Sequence, residues 1–384
     1  MGLRRRHEAA VTDADGRTGG GRSAGDVQRH RQDAGARGAP GSEGDDRAEG
    51  GEPRRRRRSA GDPVRERRGR LGRPLGRLCR ALLAALVTGA VVVPLSAAAR
   101  PRIPAPPPAA LAPLSTATLT GTYEANRADA AEASRMAAAH GDQDRAAADR
   151  AMAAPDRHLL AFDGRGTGRT TEVLGDLATA EHIAILVPES DTTLDTYDRF
   201  RATALALHRA AGPRTAVIAW LGYDTPRMLS TAALTTTRAE QAAPGLEAFV
   251  RRLRAAFGPL PGISLLCHSY GTAVCARAAG TDVQDIALVG SPGTGLDSVA
   301  GLHTRARVWA ARGAGDWIAD VPHVRTDLFG TRVGFGTDPV SPAYGARVFA
   351  AGDGGHSDYF KPGSVPLANL ARIVLGRTSE VTHA

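Results

Sequence analysis

Leu265-Leu266-Cys267-His268-Ser269-Tyr270-Gly271-Thr272 passes from an apolar run into a helix-forming stretch through a turn of small residues. A serine at such a strand-to-helix turn is held above the C-terminal edge of a parallel sheet, with its hydroxyl presented to a substrate. The positions two before and two after the serine approach each other across the turn, so glycine suits both. Gly271 meets the second requirement and Cys267 occupies the first, which makes the pattern C-x-S-x-G. A thiol is small enough to fit with some crowding, and Cys267→Gly is expected to relieve it. The competing role for Ser269 is helix N-cap, a position serine fills well.

Working outward from this turn, short apolar runs alternate with helical stretches from His158 onward. Strands are expected at 159–162, 171–174, 183–187, 216–220, 263–267, 286–289, 307–310 and 347–350, and helices at 194–211, 245–257, 272–279 and 367–375. Continuous apolar strands alternating with helices indicate an α/β fold whose mainly parallel sheet is covered by helices on both faces. The first two strands read as an antiparallel hairpin. The hexamer that joins them, Asp163-Gly164-Arg165-Gly166-Thr167-Gly168, lacks the Gly-Lys-Ser/Thr of a phosphate loop and leads into a strand, so it does not support nucleotide binding.

Residues 1–100 carry 22 arginines against 12 acidic residues, a net charge of +10, whereas the remaining 27 basic and 28 acidic residues nearly cancel. The basic excess therefore lies outside the folding part, which gives no electrostatic case for nucleic acid. Residues 1–63 have no apolar periodicity and are expected to be disordered or to precede the true start of translation. Residues 64–99 have the layout of a secretory signal: a basic stretch, an apolar run over 81–95, and small residues ending at Ala99. The run is short for a bilayer span, so cleavage and secretion are expected, with an uncleaved membrane anchor as the alternative. A Pro- and Ala-rich linker follows over 100–121. Next come a helical preface over 122–157, broken near His140 and Gly141, a main domain over 158–377 and a tail over 378–384.

Of three cysteines, Cys79 lies in the N-terminal segment, and Cys267 and Cys275 fall on a strand end and the helix after it, so two unpaired thiols are expected there. No His or Cys cluster has metal-ligand spacing, and neither a metal nor another cofactor is expected.

Together with Ile263–Gly271, four further stretches carry a family resemblance: Ile286-Ala287-Leu288-Val289-Gly290-Ser291-Pro292-Gly293, Gly315-Asp316, Gly355-His356-Ser357-Asp358-Tyr359 and Leu186-Val187-Pro188. With Trp220-Leu221-Gly222-Tyr223-Asp224, they make residues 122–377 similar to an actinobacterial α/β-hydrolase family known as a domain of unknown function. The resemblance implies the α/β-hydrolase fold and a Ser-Asp-His triad, and names no substrate. Cys267 and Glu189 stand where that family usually has glycine.

In α/β-hydrolases the triad follows the chain order Ser, acid, His, with the last two on loops after late strands. Asp316 follows an apolar strand through a Gly-Ala-Gly turn and is the expected acid, with Asp320 as runner-up. His356 follows the last strand and precedes the C-terminal helix, whereas His303 and His323 come too early and His383 lies in the tail. The oxyanion is expected to meet the amide of Tyr270 and that of Glu189 or Ser190, with the Glu189 side chain turned away from the developing charge. Residues 224–244 and 329–344 are expected to wall the pocket. The chain thus reads as an exported serine hydrolase of a small-molecule or lipid-like ester, or of an amide. The same fold serving as a catalytically silent binding or envelope module is the alternative.

Overall fold

The computed structural model describes residues 103–259, 261–328 and 331–384. The disordered start, the signal and the apolar run over 81–95 expected from the sequence lie outside them. No helix among the described residues is long and apolar enough to cross a membrane.

The chain enters through α1 (Leu119–His140) and α2 (Gln143–Met152), which part at Gly141, whose φ of 94° is a left-handed helix stop that glycine adopts without a Cβ penalty. The strands are β1 (His158–Asp163), β2 (Arg169–Leu174), β3 (His182–Val187), β4 (Thr215–Leu221), β5 (Gly262–His268), β6 (Asp285–Val289), β7 (Arg307–Ala311) and, after a separate hairpin of β8 (Thr326–Leu328) and β9 (Thr331–Val333), β10 (Arg347–Val348). They form one eight-stranded sheet in the order β1-β2-β4-β3-β5-β6-β7-β10. Within this sheet β1, β2 and β4 pair antiparallel, and every other pairing is parallel. The expected hairpin therefore stands at the edge of an otherwise parallel sheet.

Helices α3 (Tyr197–Ala211), α4 (Thr237–Phe257), α5 (Gly271–Arg277) and α6 (Val365–Val374) cover the sheet. Neighbouring strand residues serve opposite faces: Ile183, Ile185 and Leu265 pack with Leu246 and Phe249 of α4, while Ala184, Leu186 and Leu266 pack with Leu207 of α3 and Leu370 of α6. Both faces need apolar residues, which is why these strands read as unbroken apolar runs instead of alternating ones. Helix α4 starts eight residues before the expected 245, with Pro244 inside it. Proline removes one helical hydrogen bond and reads in sequence as a breaker, but here the apolar residues Ala239, Ala242, Ala243 and Leu246 bury a common face that carries the helix through it.

A buried charge ties the preface to the sheet. Glu172 of β2 is fully buried and accepts from Arg157 at 2.6 and 2.9 Å, from Arg201 at 3.0 Å and from the Tyr197 hydroxyl at 3.0 Å. Arg145 of α2 binds the Gly164 carbonyl at 3.0 Å and the Gly166 carbonyl at 3.2 Å, so the glycine-rich hexamer is a hairpin turn held by a guanidinium.

One expectation about the core is corrected. Cys267 and Cys275 form a disulfide, their Cα atoms 6.4 Å apart. The tight turn folds α5 back along β5, which brings the strand end and the first turns of the helix within bridging reach. The Cys267 side chain is thus bonded toward α5.

Candidate active site

The turn after β5 gives Ser269 a φ of 52°, a left-handed conformation that is uncommon for a residue with a side chain. The Ser269 amide donates to the Val289 carbonyl at 3.0 Å, anchoring the turn to the end of β6. A Cβ at Gly271 would lie 2.7 Å from the carbonyl oxygens of both Val187 and Pro188, so the glycine two residues after the serine lets β3 approach the turn. Gly290 is equally constrained: a Cβ there would meet Tyr359, Asp316 and His356 at 2.9 to 3.2 Å.

Ser269, Asp316 and His356 are brought together. Ser269 Oγ lies 2.9 Å from His356 Nε2, and His356 Nδ1 lies 2.8 Å from Asp316 Oδ1. Because a carboxylate only accepts, Nδ1 carries the proton and Nε2 of the neutral ring is left to accept from the serine. All three residues are buried. The Ser269 hydroxyl is engaged by the histidine, so its competing role as a helix cap is not the one it fills.

Asp316 follows β7 and takes two more donors, the Ile318 amide at 2.9 Å and the Tyr359 phenol at 2.5 Å. Burial works to raise its carboxyl, but hydrogen bonds from His356, Tyr359 and Ile318 outweigh it and hold the group below its ordinary value. Burial and the same bond push the Tyr359 phenol far up, so it remains a donor. Tyr359 was not foreseen as part of the site. It lies in the quoted Gly355–Tyr359 stretch, but nothing in the sequence relates it to Asp316. Asp320 is exposed at the end of a short helical turn, and His323 Nε2 lies 3.6 Å from Asp338 instead of on the serine.

Glu189 departs from expectation. Its side chain is not turned away: Oε2 lies 3.7 Å from His356 Nε2 and Oε1 3.9 Å from His268 Nδ1. The loop after β3 is drawn over the turn, where the Tyr223 hydroxyl donates to the Pro188 carbonyl at 2.8 Å, and this carries Glu189 above the two imidazoles. His268 Nε2 in turn meets the His356 carbonyl at 2.8 Å. Burial holds the His268 imidazole below its ordinary value, with Glu189 acting in the opposite sense.

A cavity of about 130 Å³ opens beside Glu189 and His268, with Leu186, Phe200, Leu266 and Phe360 among its walls. Residues 224–244 and 329–344, expected as walls, supply none of its lining. Thr235 and Phe335 from these stretches meet Tyr270 instead: its hydroxyl donates to the Thr235 carbonyl at 2.8 Å, and the Phe335 ring meets it edge-on at 5.7 Å. The Trp317 ring, 46% exposed, leans against His356 at 4.9 Å.

Residues 163–326 match the family model described as alpha/beta hydrolase, a span that holds the serine turn and Asp316. These residues have the α/β-hydrolase fold. Two uncharacterized proteins of Mycobacterium tuberculosis, from strains CDC 1551 and H37Rv, are each 31% identical to this chain over an alignment of 260 residues that covers 57% of this chain and 39% of theirs. The chain thus spans about two-fifths of the length of the relatives it matches. Among solved structures, it is similar to an α/β serine hydrolase without a lid from Xanthomonas campestris, with 17% identity, 58% of this chain, 95% of that one and a TM-score of 0.37. The esterase domain of a Rhodothermus marinus protein matches with 14% identity, 56% and 93% coverage and a TM-score of 0.33.

Proposed function

We propose that this chain is an exported serine esterase in which Ser269 is the nucleophile, His356 the general base and Asp316 the acid that orients it. The observation that carries this reading is the hydrogen-bonded series from Ser269 Oγ through His356 to Asp316, ending on a serine with positive φ. In the proposed reaction Ser269 Oγ attacks the ester carbonyl while His356 Nε2 takes its proton. The same proton then passes to the leaving alkoxide, giving an acyl-enzyme that water hydrolyses by the reverse sequence. The oxyanion meets the Tyr270 amide and that of Glu189 or Ser190. None of these three amides donates to a backbone carbonyl among the described residues, which supports the assignment.

An ester with an apolar part suits the surroundings, since Leu186, Phe200, Leu266 and Phe360 give the small cavity an apolar side among its polar lining residues, and Trp317 offers a half-exposed ring beside His356. Export is supported by the Cys267–Cys275 bridge, because structural disulfides persist mainly in oxidising compartments.

A second reading, a silent binding module, draws on the Glu189 carboxylate 3.7 Å from His356 Nε2, where it would oppose a developing oxyanion. A fluorophosphonate probe separates the two, because it reports an activated serine without knowledge of the substrate. Covalent labelling that vanishes in Ser269→Ala and drops sharply in His356→Ala is expected. Folded protein that takes up no label even after treatment with EDTA would favour the silent module.

A further inference from the structure

The mechanism gives no task to the Glu189 carboxylate or the His268 imidazole, yet both face the proposed base. His268 Nε2 meets a carbonyl oxygen at 2.8 Å, and a carbonyl only accepts, so that nitrogen is the protonated one and Nδ1 holds a lone pair. His356 Nδ1 meets a carboxylate at 2.8 Å, which leaves the lone pair on Nε2. Glu189 Oε1 and Oε2 stand 3.9 and 3.7 Å from these two lone pairs. Three acceptors, one from each of three chain segments, thus converge within 4.8 Å of one another. The Ser269 hydroxyl can satisfy only one of them.

Such a set can hold a cation at its centre. Two imidazoles and a carboxylate suit zinc, with bonds of about 2.0–2.2 Å and a fourth position left open. The outer contacts are in place as well: ligating histidines characteristically donate their other ring N–H to a carboxylate or a carbonyl, and here His356 donates to Asp316 and His268 to the His356 carbonyl. Glu189 is partly exposed, at 20%, so its side chain can close the remaining distance by rotation.

We propose that Glu189, His268 and His356 form a zinc site, and that zinc bound there blocks the hydrolase by occupying His356 Nε2. The blockade rests on the function proposed above, whereas the binding itself does not. Zinc takes the lone pair that would receive the Ser269 proton, so the serine stays protonated and unreactive. Chelation returns the lone pair and the activity.

The test titrates metal-free full-length protein with zinc against a chromogenic zinc indicator and follows fluorophosphonate labelling at each zinc concentration. One site is expected whose affinity drops at least about tenfold in Glu189→Gln, a partly exposed position where folding should survive, and in His268→Gln. Labelling should decline in step with occupancy and return with EDTA. Zinc affinity unchanged in Glu189→Gln, or labelling that proceeds at full rate or faster with the site filled, would overturn the proposal. If the metal-free protein takes no label at all, it is the esterase reading that fails, and the titration of Glu189→Gln still decides the zinc site.

Discussion

Cys267 and Cys275 are bridged across the turn that carries Ser269, joining the last residues of β5 to the body of α5 with Cα atoms 6.4 Å apart. The bond spans eight positions and closes a loop around the nucleophile. Both cysteines are fully buried, so the bridge is part of the core. Its removal in Cys267→Ser/Cys275→Ser should cost about 2–3 kcal/mol, read as a lower melting temperature in the double variant. Cys267→Gly, which the turn's preference for glycine recommends, should be destabilising for the same reason. A melting temperature unchanged by the double substitution would show that the packing of β5 against α5 holds the turn unaided.

Tyr359→Phe keeps the buried ring and removes the phenol that donates to Asp316 and accepts from the Gly313 amide at 3.1 Å. A hydrogen bond to a charged group contributes about 1.5–3 kcal/mol, so the rate of fluorophosphonate labelling should decline by about tenfold or more. An unchanged rate would mean that His356 and Ile318 suffice to orient Asp316.

Asp316→Asn and Asp320→Asn distinguish the acid assigned from its runner-up. The first substitution leaves the His356 ring without a carboxylate partner and should slow labelling on the order of 10³- to 10⁴-fold with folding intact. The second alters an exposed carboxylate and should change little. Reversal of this pair in the labelling assay would displace Asp316 from its role.

Asp149, on α2, supplies a pH-dependent stability. It is buried, its Oδ1 has no hydrogen-bond partner, and burial raises its carboxyl from the ordinary 3.8 to about 7. Between those values the folded chain binds more protons than the unfolded one, so this residue's contribution to stability declines as pH rises through the window and is lowest above pH 7. Asp149→Asn should therefore gain roughly 2 kcal/mol over the parent at pH 8 and little at pH 4, measured by urea unfolding at both. Equal effects at the two pH values would show that Asp149 is ionised throughout.

The fold was legible because its signals are local. The run from Leu265 to Thr272, the unbroken apolar strands and the loops carrying Asp316 and His356 follow chain order in a parallel sheet, where successive strands end on one edge. Pro244 misled for a local reason too, since its effect on an isolated helix is unfavourable and only burial of the flanking alanines against the sheet reverses the outcome.

By itself, then, the sequence determined the layered sheet and narrowed the serine, acid and histidine that could meet, with Asp320 still open beside Asp316, since each depends on residue type and order along the strands. It could not determine contacts between segments far apart in the chain. Tyr359 reaching Asp316, Glu189 facing His356, and His268 held by the His356 carbonyl all depend on how loops of different strands cross at the sheet edge. The Cys267–Cys275 bridge lies within one short stretch, yet it too escaped, because the spacing of two cysteines says nothing of the angle at which a helix leaves its strand. That angle is decided by the packing of α5 against β5, and with it whether two thiols come within bonding reach.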